Sequence, residues 1–111
     1  MKLPAGEAAI VDRQKLVDYC LNPEHPRGKH KARVFATALG FTAENADQLR
    51  TLLLAAAVAE NARPAASDRY GDRYVLDSGM TGPNGATAVV RSLWIIRRGE
   101  TAPRLTSCFV K

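Results

Sequence analysis

The apolar pattern changes period once along the chain. Up to about residue 61 apolar residues recur at helical spacing, and from Tyr70 they alternate with polar ones. A chain that spends one half on helices and the other on short-linked strands must bury the helical stripes against one face of a sheet. Helices first and strands after predicts an α+β fold, with about three N-terminal helices on a three- to four-stranded antiparallel meander. At 111 residues the chain has room for a single domain over 1–111.

Residues 1–11 read as an extended lead-in anchored by Ile10 and Val11. Asp12 is placed to cap a first helix over 13–21, with Leu16, Val17, Cys20 and Leu21 on one face. Asn22-Pro23 ends it, and NPEHPRG is a loop. A second helix is expected over 29–39, with Val34, Phe35, Ala38 and Leu39 inward and Gly40 as its C′ residue. Thr42 caps a third, alanine-rich helix over 43–61. The first strand, 73–80, sends Tyr74, Leu76 and Met80 one way. The second, 86–97, sends Val90, Trp94 and Ile96 to the same side, and GPNG makes the turn between them. In the last strand, 104–110, alternation puts Leu105 and Phe109 on the helix-facing side. Arg73, Asp77, Arg91, Arg104 and Thr106 then fall on the outer face.

Sixteen Lys and Arg against eleven Asp and Glu give a net charge of +5, which favours an anionic partner. The placement is more informative. Arg27, Lys29, Lys31 and Arg33 lie around His30, and no carboxylate occurs between Glu24 and Glu44. No apolar run approaches the roughly 18 residues of a membrane span. No signal-peptide apolar stretch follows Met1, so the expectation is a cytoplasmic protein without a membrane partner. Cys20 and Cys108 are expected as reduced, buried thiols, a disulfide between them being the alternative.

Most site chemistries lack their residues. Cys20, His25 and His30 carry metal-ligand atoms, but a helix end and a proline-rich loop intervene and no paired motif supplies a fourth ligand, so no metal is expected. Two-metal nuclease chemistry would need carboxylates where the strand after Asp77 offers Arg91. There is no GxSxG elbow and no Walker spacing, and no cofactor is implied. What remains is a set of cations and histidines. Metal-independent RNA cleavage needs a base for the 2′-hydroxyl, an acid for the departing 5′-oxygen, and cations on the phosphorane. His25 and His30 suit proton transfer, Lys31 and Arg91 suit charge stabilisation, and Thr106 offers a hydrogen bond. Arg27, Lys29, Arg73 and Arg104 would hold phosphates. The plainer alternative makes RGKHKAR a solvated helix start and Arg73, Asp77 and Arg91 a surface ion-pair ladder.

The string YCLNPEHPRGKHKARVFATALGF, with LPAGEAAIVD, YGDRYVLD, TGPNG, VRSLWIIRRGE and PRLTSCFV, resembles a family of small uncharacterised bacterial domains. Its NPxHPxGxHKAxxF motif is matched here by His25, Pro26, Gly28, His30, Lys31 and Phe35, with Arg91, Trp94, Arg104 and Leu105 further on. Such domains occur alone and as C-terminal modules of polymorphic or phage-linked toxins. The order of helices then sheet is also similar to the barnase, EndoU, colicin and RelE-like ribonucleases. The resemblance implies a toxin-like ribonuclease acting on RNA, with an acidic immunity or antitoxin protein as partner. Where several such ribonucleases end in an exposed Thr or Ser beside a Tyr, this chain has Phe109, without a hydroxyl. Two rival readings are a non-enzymatic module binding nucleic acid or protein, and an inert accessory or immunity-like protein. Base stacking is not expected, because Trp94 and most Tyr and Phe are assigned to the core.

Overall fold

A computed structural model describes residues 1–111. Asp12 caps the first turn, its carboxylate accepting from the Gln14 amide at 2.9 Å. That turn, α1 (Arg13–Lys15), widens into a π-helical segment over Leu16–Cys20, closed by the Leu21 N–H on the Leu16 carbonyl. Leu16, Cys20 and Leu21 are buried as expected, through π rather than α winding. Helix α2 (Lys29–Leu39) stops at Gly40, whose φ of 78° lets the Phe41 N–H return to the Phe35 carbonyl. The Phe35 and Phe41 rings meet edge to face across this stop. The inward face of α2 is Ala32, Phe35 and Leu39; Val34, expected inside, is 45% exposed, so the helix is rotated toward its alanine. Thr42 and Asn45 form a capping box ahead of α3 (Ala46–Ala59), which buries Leu49, Leu53, Ala56 and Ala57.

Four antiparallel strands follow in the order β1-β2-β3-β4: β1 (Ala62–Ser67), β2 (Gly71–Thr81), β3 (Thr87–Arg97) and β4 (Arg104–Val110). Strand β1 has no alternation to reveal it: ARPAAS buries Ala62 alone and is held by its pairing with β2. The lead-in ties both ends of the sheet, Lys2 bridging Asn61 and Ile10 bridging Arg104. Behind the sheet, Leu76, Met80, Val90, Trp94 and Leu105 meet the helices in one core. The Trp94 indole donates to the Ser92 hydroxyl at 2.9 Å, and that hydroxyl donates to the Leu76 carbonyl, so the polar atoms beside the largest core ring are paired.

The last strand departs from strict alternation. Leu93 pairs with Ser107 and Trp94 with Leu105, which leaves Thr106 as an extra residue on β4. One inserted residue reverses every face beyond it. Cys108 therefore turns into the core, fully buried, and Phe109 turns outward opposite Arg91. The expected placement of Phe109 among the helix-facing residues is overturned.

The β2–β3 turn lies against the end of α2. A Cβ on Gly82 would collide with the Leu39 carbonyl and side chain, whereas one on Gly79 meets nothing. Gly82→Ala is expected to cost about 1–3 kcal/mol by overpacking. Gly79→Ala is expected to be neutral or stabilising by about 0.5 kcal/mol, because alanine loses less freedom in a strand. Urea unfolding of the two variants checks the contrast.

Candidate functional site

The loop before α2 is organised by its own polar atoms. Asn22 accepts from the Glu24 amide, and His25 Nδ1 accepts from the amides of Arg27 and Gly28 at 3.0 and 3.1 Å. The imidazole stands edge-on to Tyr19, 4.7 Å between centroids, and Gly28 packs against the same ring. His25 thus closes the turn that launches α2, and only its Nε2 is left for proton transfer. His30 sits one residue before Lys31, about 100° away around the helix, exposed on the side opposite Ala32, Phe35 and Leu39. Arg27 is exposed and Lys29 half-buried, and Arg33 reaches only the Pro23 carbonyl. Arg27, Lys29, Lys31 and Arg33 have no carboxylate within ion-pair distance.

The sheet arginines are placed differently. Arg91 holds Asp77 through two hydrogen bonds of 2.8 and 3.0 Å, and Lys111 and Arg63 approach the same carboxylate. The Arg91 guanidinium, followed by Lys111, holds the Asp77 carboxyl far below its usual range. Arg73 pairs with Asp68 rather than Asp77, and Arg104 with Glu100. Half of the expected ladder, Arg91 on Asp77, is thus present.

Helix and sheet meet at Phe109. The Lys31 ammonium lies 4.4 Å from the centroid of that ring, and Phe109 is the cross-strand partner of Arg91. Lys31 and Arg91 therefore flank one half-buried aromatic at the β4 margin, a cation–π contact worth about 0.5–1 kcal/mol where exposed. Arg73 and Arg104 lie further along the sheet, both opposite Ile95, four residues from Arg91 on β3 or about 13 Å at strand rise. Thr106 donates to the Leu93 carbonyl and its own carbonyl accepts from Lys15, so it holds the bulge in place.

Two concavities open on the surface. The larger, about 560 Å³, runs between α2 and the start of α3, lined by Ala32, Arg33, Ala36, Phe41 and Glu44. The smaller, about 120 Å³, contains Thr106 and Arg104 together with Lys15 and Arg97. His25, His30, Lys31 and Arg91 line neither. Two features escaped the sequence: Phe109 as an outer-face ring, and Lys15 beside β4. The Ser107 hydroxyl, opposite Leu93, is buried without a protein partner. Beneath this margin both cysteines are free thiols in the core. The Cys108 thiol beside it holds Cys20 below its ordinary value despite burial, helped by Lys15 and Lys31. The neighbouring Cys20 and burial together push Cys108 up.

These elements define a class: an α+β domain in which short helices cover one face of a four-stranded antiparallel meander. A family model described as a domain of unknown function (DUF6883) matches residues 2–111, and the chain belongs to that family. Among solved structures, the fold is shared by a chain of a contact-dependent growth inhibition toxin–immunity protein complex from Klebsiella pneumoniae 342. The TM-score is 0.67 at 17% identity, covering 93% of this chain and 100% of that one. No curated protein sequence matches. No helix is long and apolar enough to cross a membrane.

If His25 is the clasp of the loop, an acceptor in the same place should replace it. His25→Asn is expected to keep stability within about 0.5 kcal/mol, while His25→Ala loses about 1 kcal/mol as two amides lose their acceptor. Thermal and urea unfolding of both variants measure this.

Proposed function

We propose that this domain is a toxin-type effector that acts on RNA, engaging the phosphodiester backbone where the start of α2 meets the β4 margin. The carrying observation is an asymmetry of pairing. The sheet arginines Arg73, Arg91 and Arg104 each hold a carboxylate, whereas Arg27, Lys29, Lys31 and Arg33 hold none. Cations left unpaired around the start of one helix are available to phosphates, and Lys31 stands over an outward aromatic suited to a base. The fold shared with a chain of a toxin–immunity complex supports the toxin-type reading, and an acidic immunity protein is the partner that would cover the α2 cations.

In this reading the domain cleaves RNA without a metal. His30, exposed on the first turn of α2, takes the 2′-hydroxyl proton. The oxygen attacks phosphorus, Lys31 and the Arg91 Nη1 that Asp77 leaves free stabilise the phosphorane, and the departing 5′-oxygen takes a proton from solvent. The proton-transfer role falls to His30 because His25 Nδ1 already accepts two backbone amides. A second reading, a backbone binder without turnover, is favoured by one observation: His30, Lys31 and Arg91 share no cavity.

Cleavage of single-stranded RNA in EDTA separates the two. Under the catalytic reading wild type cleaves, His30→Ala loses about 100-fold or more, and Lys31→Ala about tenfold. Equal rates in all three overturn the assignment. Steeply salt-dependent binding with no product in any of them establishes the second reading instead.

A further inference from the structure

We propose that the small cleft at the start of β4 is a phosphate site, separate from the α2 cations, that takes one phosphate group of an RNA strand lying along β4. Its walls come from three elements: Lys15 from α1, Ile95 and Arg97 from β3, and Arg104 and Thr106 from β4. A volume of about 120 Å³ has room for a tetrahedral oxyanion. Three cations converge on it and Asp12 is its one carboxylate. Arg97 makes no ion pair or side-chain hydrogen bond within the protein. Arg104 gives only Nε to Glu100, which leaves its terminal nitrogens available. The Lys15 ammonium is held at the cleft by a 3.4 Å hydrogen bond to the Thr106 carbonyl. A lysine and two guanidinium groups around a small concavity form the donor set that oxyanions take.

The cleft is in line with Phe109. Thr106 precedes Phe109 by three residues, about 10 Å along the strand. A strand of RNA with a base against Phe109 would therefore place a neighbouring phosphate at Lys15, Arg97 and Arg104. Naming RNA as the source of that phosphate rests on the function proposed above; the oxyanion site itself does not.

Inorganic phosphate titrated into isotope-labelled protein tests the site by amide chemical shifts. Saturable shifts centred on Lys15, Arg97 and Thr106 are expected. Lys15→Ala and Arg97→Ala should each weaken binding about tenfold, one charge-assisted contact apiece. Asp12→Asn, which keeps a helix-capping side chain, should tighten it. Arg69→Ala, at the β1–β2 turn, should leave it unchanged. Shifts that do not saturate, or that weaken as much with Arg69→Ala as with Arg97→Ala, mean an adventitious ion only and overturn the site. A short single-stranded RNA titrated in parallel separates the two proposals. Phosphate binding without RNA binding keeps the cleft and removes the RNA reading. Lys31-dependent RNA binding without phosphate saturation keeps that reading and removes the cleft.

Discussion

One extra residue in the last strand decides what the outer face of this protein can do. Thr106 breaks the two-residue period of β4, and its hydroxyl on the Leu93 carbonyl fixes the break. On the near side Leu105 faces the core; beyond it Cys108 does, where strict alternation would have placed Phe109. Without the insertion the thiol would point to solvent and the ring would compete with Trp94 for core volume. With it, a ring emerges beside Arg91 at the edge of the sheet, within reach of Lys31 from α2. Lys15 and Lys31 lie along β4, so charged side chains also guard the outer edge of that strand against pairing with another chain.

Charge is distributed in a way that follows from this geometry. The four acids of the strand half, Asp68, Asp72, Asp77 and Glu100, each meet an arginine. The stretch from residue 25 to 43 has none, so α2 carries its cations without a carboxylate partner. Cations without a carboxylate partner therefore gather at the start of α2 and, with Lys15 and Arg97, in one cleft. Exposed arginine–carboxylate pairs on the sheet are screened by water and contribute little to folding.

Much of the fold was legible because it rests on periodicity and punctuation. The ends of α2 were readable from Pro26, Gly28 and Gly40, and the β2–β3 hairpin from its GPNG turn and flanking alternation. Strand β1 was not, because ARPAAS is exposed along all but one residue and exists through its partner. The bulge was equally silent: RLTSCFV alternates acceptably in either register, and only the packing of Cys108 against the core selects one. The candidate site inherits that gap. Charge alone points to Lys31 and Arg91, and they do share a neighbour, but that neighbour is Phe109, which strict alternation places inside. A histidine beside cations suggests a proton carrier at His25; its two backbone hydrogen bonds depend on loop geometry that no spacing rule encodes.

The most direct measurement of this account is the environment of the Phe109 ring in solution, by proton–proton nuclear Overhauser effects and ring-current shifts. The account predicts contacts from the ring to the Lys31 and Arg91 side chains, with the Lys31 ε-methylene displaced upfield by the ring beneath it. Contacts from Phe109 to Trp94 and Val90, with Lys31 at an ordinary shift, would show the strand in its unbulged register and contradict it.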